Sequence, residues 1–177
     1  MHPDKPLMAT LELGDRSAVL SEDGLYRYRL ERRWGTGRPV AFIMLNPSTA
    51  DAELDDPTIR RCIGFAKRLG AGALAVGNLY AWRATRPDDL GSAVDPVGPD
   101  NDRHLREIAF EASDVIAAWG AHWTADVRGP RVEVGLLDAL NGRPLWALGT
   151  SKGGKPRHPL YLRGDSPLLT YREGTRS

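Results

Sequence analysis

The sequence is poor in cysteine, in net charge and in long apolar runs. Its single cysteine, Cys62, excludes an intramolecular disulfide and any zinc site or iron–sulfur cluster built from cysteines. The formal net charge is only +1, so bulk charge indicates neither a nucleic-acid partner nor a membrane partner. No apolar stretch approaches the length of a membrane span, and residues 1–9 lack the apolar core of a signal peptide. We therefore expect a cytoplasmic protein without membrane contact.

Several motifs that carry well-known chemistry are also missing. No pair of histidines has metal-ligand spacing, and no Walker or dinucleotide-binding fingerprint is present. The stretch from Lys152 to Lys155 (KGGK) has neither the spacing nor the following helix of a phosphate-binding loop. Ser48 and Ser151 lack the context of a nucleophile elbow. The sequence thus predicts no metal and no cofactor.

What is present is an ordinary globular composition. The 177 residues are 41% hydrophobic and 27% charged, which suits one domain with one sizeable core. We predict a single domain over residues 1–177, with residues 1–7 and 173–177 frayed.

Strand and helix patterns alternate along the chain. The run VAFIML at 40–45 is typical of a strand buried on both faces, and Asp56-Pro57 is a strong helix start. Strands are predicted at 8–13, 26–32, 40–45, 73–79, 114–119 and 145–148, and helices at 57–69, 101–112 and 130–140. This order predicts an α/β three-layer sandwich whose central sheet is mostly parallel, with antiparallel strands at the N-terminal side. The Gly- and Lys-rich segment 149–159 is expected to be mobile.

Polar and aromatic residues follow several of these strands. Asn46-Pro47-Ser48 follows the first buried strand, and Asn78, Tyr80 and Arg83 end or follow the second. Basic residues surround His158-Pro159 near the end of the chain, namely Lys152, Lys155, Arg157 and Arg163. Ligands of open parallel sheets bind beyond the carboxyl ends of the strands, so these groups should converge on one edge. Amides suit base edges, aromatic rings suit base faces, and Arg and Lys suit phosphates.

Each candidate also has a structural interpretation. Asn46-Pro47 could be simple turn chemistry, and Asn78 could hold only a loop backbone. Trp119 is more typical of core or rim packing than of a base platform, and His104 is expected at the surface. His158 lies among basic residues, and Pro159 restricts the chain beside it, which favours a functional role.

The motifs LNPSTAD, DPTIRRC, GNLYAWRAT and RHPLYL, within residues 26–171, resemble a bacterial family catalogued as a domain of unknown function, family 1643. This resemblance covers most of the chain. It implies no activity.

A more distant resemblance, in motif order and spacing, is to the uracil-DNA glycosylase superfamily. By that resemblance Asn46-Pro47 is similar to the motif that positions the attacking water, and Asn78 to the residue that reads the base edge. His158 resembles the residue that polarises the base, and Leu160 and Tyr161 resemble part of the wedge that follows it. Three features depart from the superfamily pattern: Met44 stands where a glycine is usual, Leu160 stands where a small residue is usual, and the net charge is low.

These observations lead to a ranked set of functional hypotheses. The first is a nucleobase-recognising N-glycosidase-like protein that acts on modified or deaminated bases in DNA, or on a related nucleotide. Asn46 and His158 would be catalytic. Pro47, Asn78 and Tyr80 would bind the base, and the residues contacting nucleic acid would be Ser48, Arg83, Lys152, Lys155, Arg157, Leu160, Tyr161 and Arg163. The alternatives are a non-catalytic nucleic-acid or nucleotide binding module on the same fold, and an enzyme with an unrelated small-molecule substrate.

Overall fold

The structure is a computed structural model that describes residues 9–13, 15–48 and 50–175, the first of these ranges by its backbone alone. Of the segments predicted to be frayed, 1–7 and 173–177, residues 1–7 and 176–177 lie outside the described residues, as does Met8 of the first predicted strand. Residues 173–175 follow the last strand without regular structure.

One mixed sheet forms the middle of the fold. Its strands are β1 (Ala9–Leu13), β2 (Arg16–Leu20), β3 (Arg27–Arg33), β4 (Val40–Met44), β5 (Ala73–Asn78), β6 (Asp114–Ala117), β7 (Leu145–Ala147) and β8 (Leu169–Arg172). They are arranged in the order β1-β2-β3-β5-β4-β6-β7-β8. The four central strands β5, β4, β6 and β7 are parallel, whereas β1, β2, β3 and β8 pair antiparallel at the two sides. The predicted α/β fold with a mostly parallel central sheet is confirmed.

Three helices cover the two faces of this sheet. They are α1 (Pro57–Arg68), α2 (Asn101–Glu111) and α3 (Trp123–Leu140), and two short 3₁₀ helices span Pro87–Ser92 and Pro159–Tyr161. Apolar residues of α1 belong to one core cluster, and apolar residues of α2 and α3 belong to another. Within the described part of the chain, none of the helices has the length and apolar character that crossing a bilayer requires.

The continuous apolar run of β4 follows from its place between these layers. Val40 and Phe42 pack in the cluster that contains α1, whereas Ala41 and Ile43 pack in the cluster that contains α2 and α3. Successive side chains of a strand point to opposite faces, so a strand covered on both sides needs apolar residues at every position. Full burial of each large side chain stabilises the fold by about 1.5–3 kcal/mol.

Parallel pairing brings the carboxyl ends of the central strands to one edge. Met44 pairs with Asn78 in the parallel register of β4 and β5. Beyond that pair, the Leu79 N–H donates to the Met44 carbonyl at 2.8 Å, and the Ala118 N–H donates to the Ile43 carbonyl at 2.8 Å. The segments that follow β4, β5 and β6 therefore start side by side.

The structure differs from the predicted elements in several places. Helix α3 begins at Trp123, capped by His122, and Pro130 lies inside it rather than at its start. Strands β2 and β8 were not predicted, because both are short, at five and four residues. Segment 149–159 is internally hydrogen-bonded, with Ser151 N–H donating to the Lys155 carbonyl and Arg157 N–H to the Gly149 carbonyl, both at 2.9 Å. The expectation of a mobile segment therefore has no support in its hydrogen bonding.

The position predicted for His104 is wrong. Its side chain is buried and stacks on Tyr28, with ring centroids 5.0 Å apart. The polar residues around His104 on α2 suggested a surface position, but the strand end that carries Tyr28 covers this part of the helix.

Gly77 of β5 allows α2 to approach the sheet. A Cβ at this position would lie 2.7 Å from Cδ2 of Leu105 and 3.0 Å from Cδ1 of Ile108. We predict that Gly77→Ala lowers the free energy of unfolding by about 1–3 kcal/mol, because the core must shift to accommodate the methyl group. Gly64 of α1 is the control, since no heavy atom lies within 4 Å of its added Cβ. Gly64→Ala should raise stability by about 0.5–1 kcal/mol. Urea unfolding of both variants tests this contrast, and a Gly77→Ala protein as stable as the parent would contradict the close packing of α2.

Candidate functional site

A cavity of about 490 Å³ opens at the carboxyl edge of the parallel strands. Asn46 follows β4, Asn78 ends β5, and His158 lies in the segment after β7; all three line this cavity. Ser48, Leu160 and Tyr161, also predicted as site residues, line it as well. The volume lies in the range of about 300–1,000 Å³ that is usual for small-molecule sites.

Asn46 is held by its own amide nitrogen. Nδ2 donates to the carbonyl of Ala84 at 2.8 Å and to the carbonyl of Pro47 at 3.1 Å, and Pro47 itself is buried. No donor among the described residues bonds to Oδ1 of Asn46. The interpretation of Asn46-Pro47 as turn chemistry therefore accounts for the amide nitrogen of Asn46. The amide oxygen stays available as an acceptor at the cavity.

Asn78 is the polar side chain whose surroundings most need an explanation. It is 2% exposed, its buried Nδ2 has no hydrogen-bond partner, and its amide bonds to no described residue. Its backbone carbonyl is held instead by Nδ2 of Asn101, at 2.9 Å. Leaving a buried polar group unpaired costs about 1–3 kcal/mol, so a group that enters the cavity and bonds to this amide would gain that energy.

His158 has a defined orientation and a defined protonation state. Its Nδ1 accepts a hydrogen bond from the Leu160 N–H at 3.2 Å and so caps the second 3₁₀ helix. Burial lowers the pKa of His158, and the attraction of Asp56 opposes this only in part. The ring is therefore neutral at pH 7. With Nδ1 as acceptor, the proton of the neutral ring is on Nε2, which makes Nε2–H a hydrogen-bond donor.

The segment that carries His158 is fastened to three elements. Gly120 N–H, after β6, donates to the Pro156 carbonyl at 3.0 Å, and Arg157 N–H donates to the Gly149 carbonyl after β7. Arg61 of α1 donates to the Leu162 carbonyl. Gly120 has a φ of +77°, and a Cβ there would lie 3.7 Å from Cβ of His158. The position of His158 is thus set by backbone bonds rather than by its side chain.

Two of the predicted base-contacting residues, Pro47 and Tyr80, do not line the cavity. Tyr80 is 7% exposed, and its hydroxyl donates to the Thr124 carbonyl at 2.8 Å, so this ring belongs to the core. Trp119, which follows β6, borders the cavity but is buried in the core with its ring against Tyr171, in agreement with its interpretation as a packing residue. Arg83 lines a neighbouring hollow that it shares with Ser48. Tyr80 is held in the core by its bond to the carbonyl of Thr124 in α3, a partner distant in sequence that a local sequence pattern does not predict.

The basic residues near His158 are only partly free. Lys155 pairs with Asp126, and Arg163 pairs with Asp165 at 3.0 Å. Lys152 and Arg157 are exposed and make no ion pair with any described acidic residue. The local positive charge is therefore smaller than the sequence suggested, because Asp126, distant in sequence, and Asp165, two residues from its partner, pair with half of these side chains.

Arg27, which the sequence did not single out, also lines the cavity. It is 3% exposed, donates through Nη1 to the Ala50 carbonyl, and has no partner for its buried Nε. Burial lowers the pKa of Arg27 to about 10, which still leaves the side chain charged at neutral pH. In the sequence, Arg27 stands on a strand in which polar and apolar residues alternate. That pattern predicts a solvent-facing side chain for Arg27 and not the buried one that is observed.

A second histidine, His122, lines the cavity, but both of its ring nitrogens are in use. Nδ1 lies 2.8 Å from Oγ1 of Thr124, and Nε2 lies 3.1 Å from Oδ1 of Asp88. This ring therefore joins the start of α3 to the first 3₁₀ helix and offers no free donor to a ligand.

The lowered pKa of His158 predicts a pH-dependent stability. The unfolded chain binds a proton near the ordinary histidine pKa of about 6.5, while the half-buried ring of the folded chain resists protonation. Stability is therefore complete above that pH and falls as the pH decreases through the folded-state pKa. His158→Gln should remove part of the decrease in melting temperature between about pH 7 and pH 5. The remaining decrease comes from His104, whose pKa burial also lowers. Superimposable pH profiles of parent and variant would contradict the burial of His158.

Comparison with curated proteins and with solved structures finds no match to this chain. One family model does match, over residues 27–160, and its description is a protein of unknown function, DUF1643. The matched range begins at the buried Arg27 and includes Asn46, Asn78 and His158. Because it covers more than half of the sequence, the chain belongs to the DUF1643 family.

Proposed function

We propose that this chain is a nucleobase-recognising N-glycosidase-like protein, related in fold to the uracil-DNA glycosylases, that acts on a modified or deaminated base in DNA or in a related nucleotide. The observation that carries the proposal is the unpartnered amide of Asn78 in the cavity that Asn46 and His158 also line. A side-chain amide offers a donor and an acceptor in one plane, which is the pattern that a base edge matches.

His158 supplies the stabilisation of the departing base. When the N-glycosidic bond breaks, its electron pair leaves with the base, and negative charge develops on the base oxygens. The neutral Nε2–H of His158 donates to such an oxygen. A donor held in place before the reaction is worth more in a buried site than in water, because it needs no reorganisation.

Asn46 positions the water that replaces the base. Its Oδ1 accepts a hydrogen bond from the water, whose oxygen forms the new bond to the sugar carbon, and the proton released from the water neutralises the departed base. An amide does not take up that proton at neutral pH. The proposed enzyme therefore lacks a general base at this position and is slow.

The unpartnered amide of Asn78 also favours a second candidate function. A cavity with a base-reading Asn78 and no general base at Asn46 would equally serve a nucleotide or nucleic-acid binding module without catalysis. The two functions differ in one measurable respect, the release of free base.

The role of His158 is tested by base release. Duplex and single-stranded DNAs and nucleotides that carry uracil, hypoxanthine, xanthine or alkylated bases form the substrate panel. His158→Ala should lower the release rate by about a hundredfold or more, because it removes a donor that acts on the departing base. His122→Ala is the matched control in the same cavity, and because both its ring nitrogens are engaged it should change the rate much less. Equal losses in the two variants would contradict the specific role of His158.

Substitution of Asn46 and substitution of Asn78 should affect different properties of the protein. Asn46→Ala should slow base release and leave ligand affinity close to that of the parent, because it acts on the water. Asn78→Ala should weaken or broaden the choice of base, since it removes the edge contact. Thermal melting is measured on both variants. A large loss of melting temperature in Asn46→Ala would show that its bond to Ala84 is its main role. If the parent releases no base from any substrate, the binding module is the better account.

Binding of nucleic acid should be weak and should decrease as salt increases, because few phosphates are neutralised. Lys152 has no acidic partner among the described residues, so Lys152→Ala should lower the slope of log affinity against log salt by about 0.7–0.9. Lys67→Ala, at the far end of α1 beside Trp34, removes the same charge away from the cavity and should leave the slope unchanged. Affinity for DNA and RNA that does not vary with salt would count against a strand as ligand.

A further inference from the structure

Arg27 is a buried cation that the proposed chemistry does not use. Its guanidinium lines the same cavity as Asn78 and His158, yet no described carboxylate lies within ion-pair distance of it. Buried charges in proteins are paired or bind a ligand of opposite charge, because an unpaired one loses its hydration without compensation. Arg32 lies five residues further along β3 and is equally buried. It follows this rule, because it pairs with Asp55 at 2.8 Å.

The charges around Arg27 do not provide that compensation. Asp56 and Asp51 attract it, whereas Arg83 and Arg32 repel it. The loss of hydration outweighs the attraction of Asp56, which is why the pKa of Arg27 is lowered rather than raised. Asp56 is in addition occupied as the cap of α1, since its Oδ1 accepts from the Ile59 N–H at 2.8 Å. An anion that entered the cavity would thus find a cation without a committed partner.

The start of α1 adds to this environment. Thr58 and Ile59 of its first turn line the cavity, and the Thr58 N–H makes no hydrogen bond to a described residue. Free N–H groups and the helix dipole favour an anion at such a position. The cavity volume of about 490 Å³ also exceeds what one planar base occupies. Space remains for a second group on the same ligand.

We infer that Arg27 forms an anion subsite beside the base-reading Asn78, so that the cavity binds a nucleoside together with a phosphate attached to it. The inference rests on the proposed function only in taking the partner of Asn78 to be a base. The phosphate would belong to a free nucleotide or to the backbone of a strand. Arg27 would bind it through the guanidinium nitrogens that Ala50 does not engage.

Calorimetry on the full chain tests this inference. The ligands are the nucleosides of the common bases and of inosine, xanthosine and deoxyuridine, the 5′-monophosphate of each, inorganic phosphate, and a short single strand of each base. In the parent, a monophosphate should bind about tenfold or more tightly than its nucleoside, as expected for a charge-assisted hydrogen bond that is worth about 1.5–3 kcal/mol. Arg27→Gln should abolish this difference and leave nucleoside affinity nearly unchanged. Arg106→Gln, which removes an exposed cation of α2 that does not line the cavity, is the control and should keep it.

The outcomes are distinct. Equal affinity of nucleoside and monophosphate for the parent overturns the inference without any variant, so a misfolded Arg27→Gln protein leaves it testable. Retention of the difference in Arg27→Gln also overturns it. Arg27-dependent binding that is tighter for the strand than for the monophosphate assigns the phosphate to a strand, and the reverse assigns it to a free nucleotide. Monophosphate binding through Arg27 without base release refutes the glycosidase proposal alone. Base release, together with binding that depends neither on the phosphate of the ligand nor on Arg27, refutes the anion subsite and leaves the glycosidase proposal intact.

Discussion

The parallel pairing of β4 with β5 on one side and β6 on the other is the constraint on which the site depends. It places Met44 opposite Asn78 and continues into the backbone bonds of Leu79 and Ala118. Because the three strands run in one direction, the residues after them start at one edge and surround one cavity. The apolar side chains of β4, buried on both faces, stabilise this arrangement, so the core and the site share the same strands.

The polar groups of the cavity divide into those that the protein satisfies and those that it does not. Asn101 holds the backbone at the end of β5, and His122 has partners at both ring nitrogens. The amide of Asn78 and the guanidinium Nε of Arg27 are buried without partners. Such groups reduce stability, and folded proteins leave few of them. That two of them line one cavity is the reason for treating this edge as a binding site.

The sequence predicted the parts of the molecule that depend on local patterns. The buried run of β4, the helix start at Asp56-Pro57 and the placement of Asn46 and Asn78 at strand ends all follow from residues close in the chain. The placement of Arg27 and Tyr80 could not be predicted in this way. Arg27 is buried because the segment after β4 covers one end of β3, and Tyr80 is in the core because α3 supplies the Thr124 carbonyl.

Partners supplied by the folded chain, some near and some distant in sequence, explain the remaining errors. Lys155 and Arg163 looked available for phosphates, but Asp126 and Asp165 pair with them in the folded chain. Helix α3 begins before Pro130 because His122 caps it, and proline in a helix costs one backbone bond that tertiary packing can outweigh.

The fastening of the His158 segment has a consequence for how a ligand arrives. Backbone bonds of Gly120 and Arg157, together with a bond from the Arg61 side chain, hold this segment to β6, β7 and α1 through contacts within the chain itself. The conformational entropy of ordering it is therefore spent during folding and not during association. We therefore expect lock-and-key recognition of the proposed ligand at this edge. A preorganised wall needs no slow closing step, so complex formation follows a single kinetic phase whose rate increases in proportion to ligand concentration.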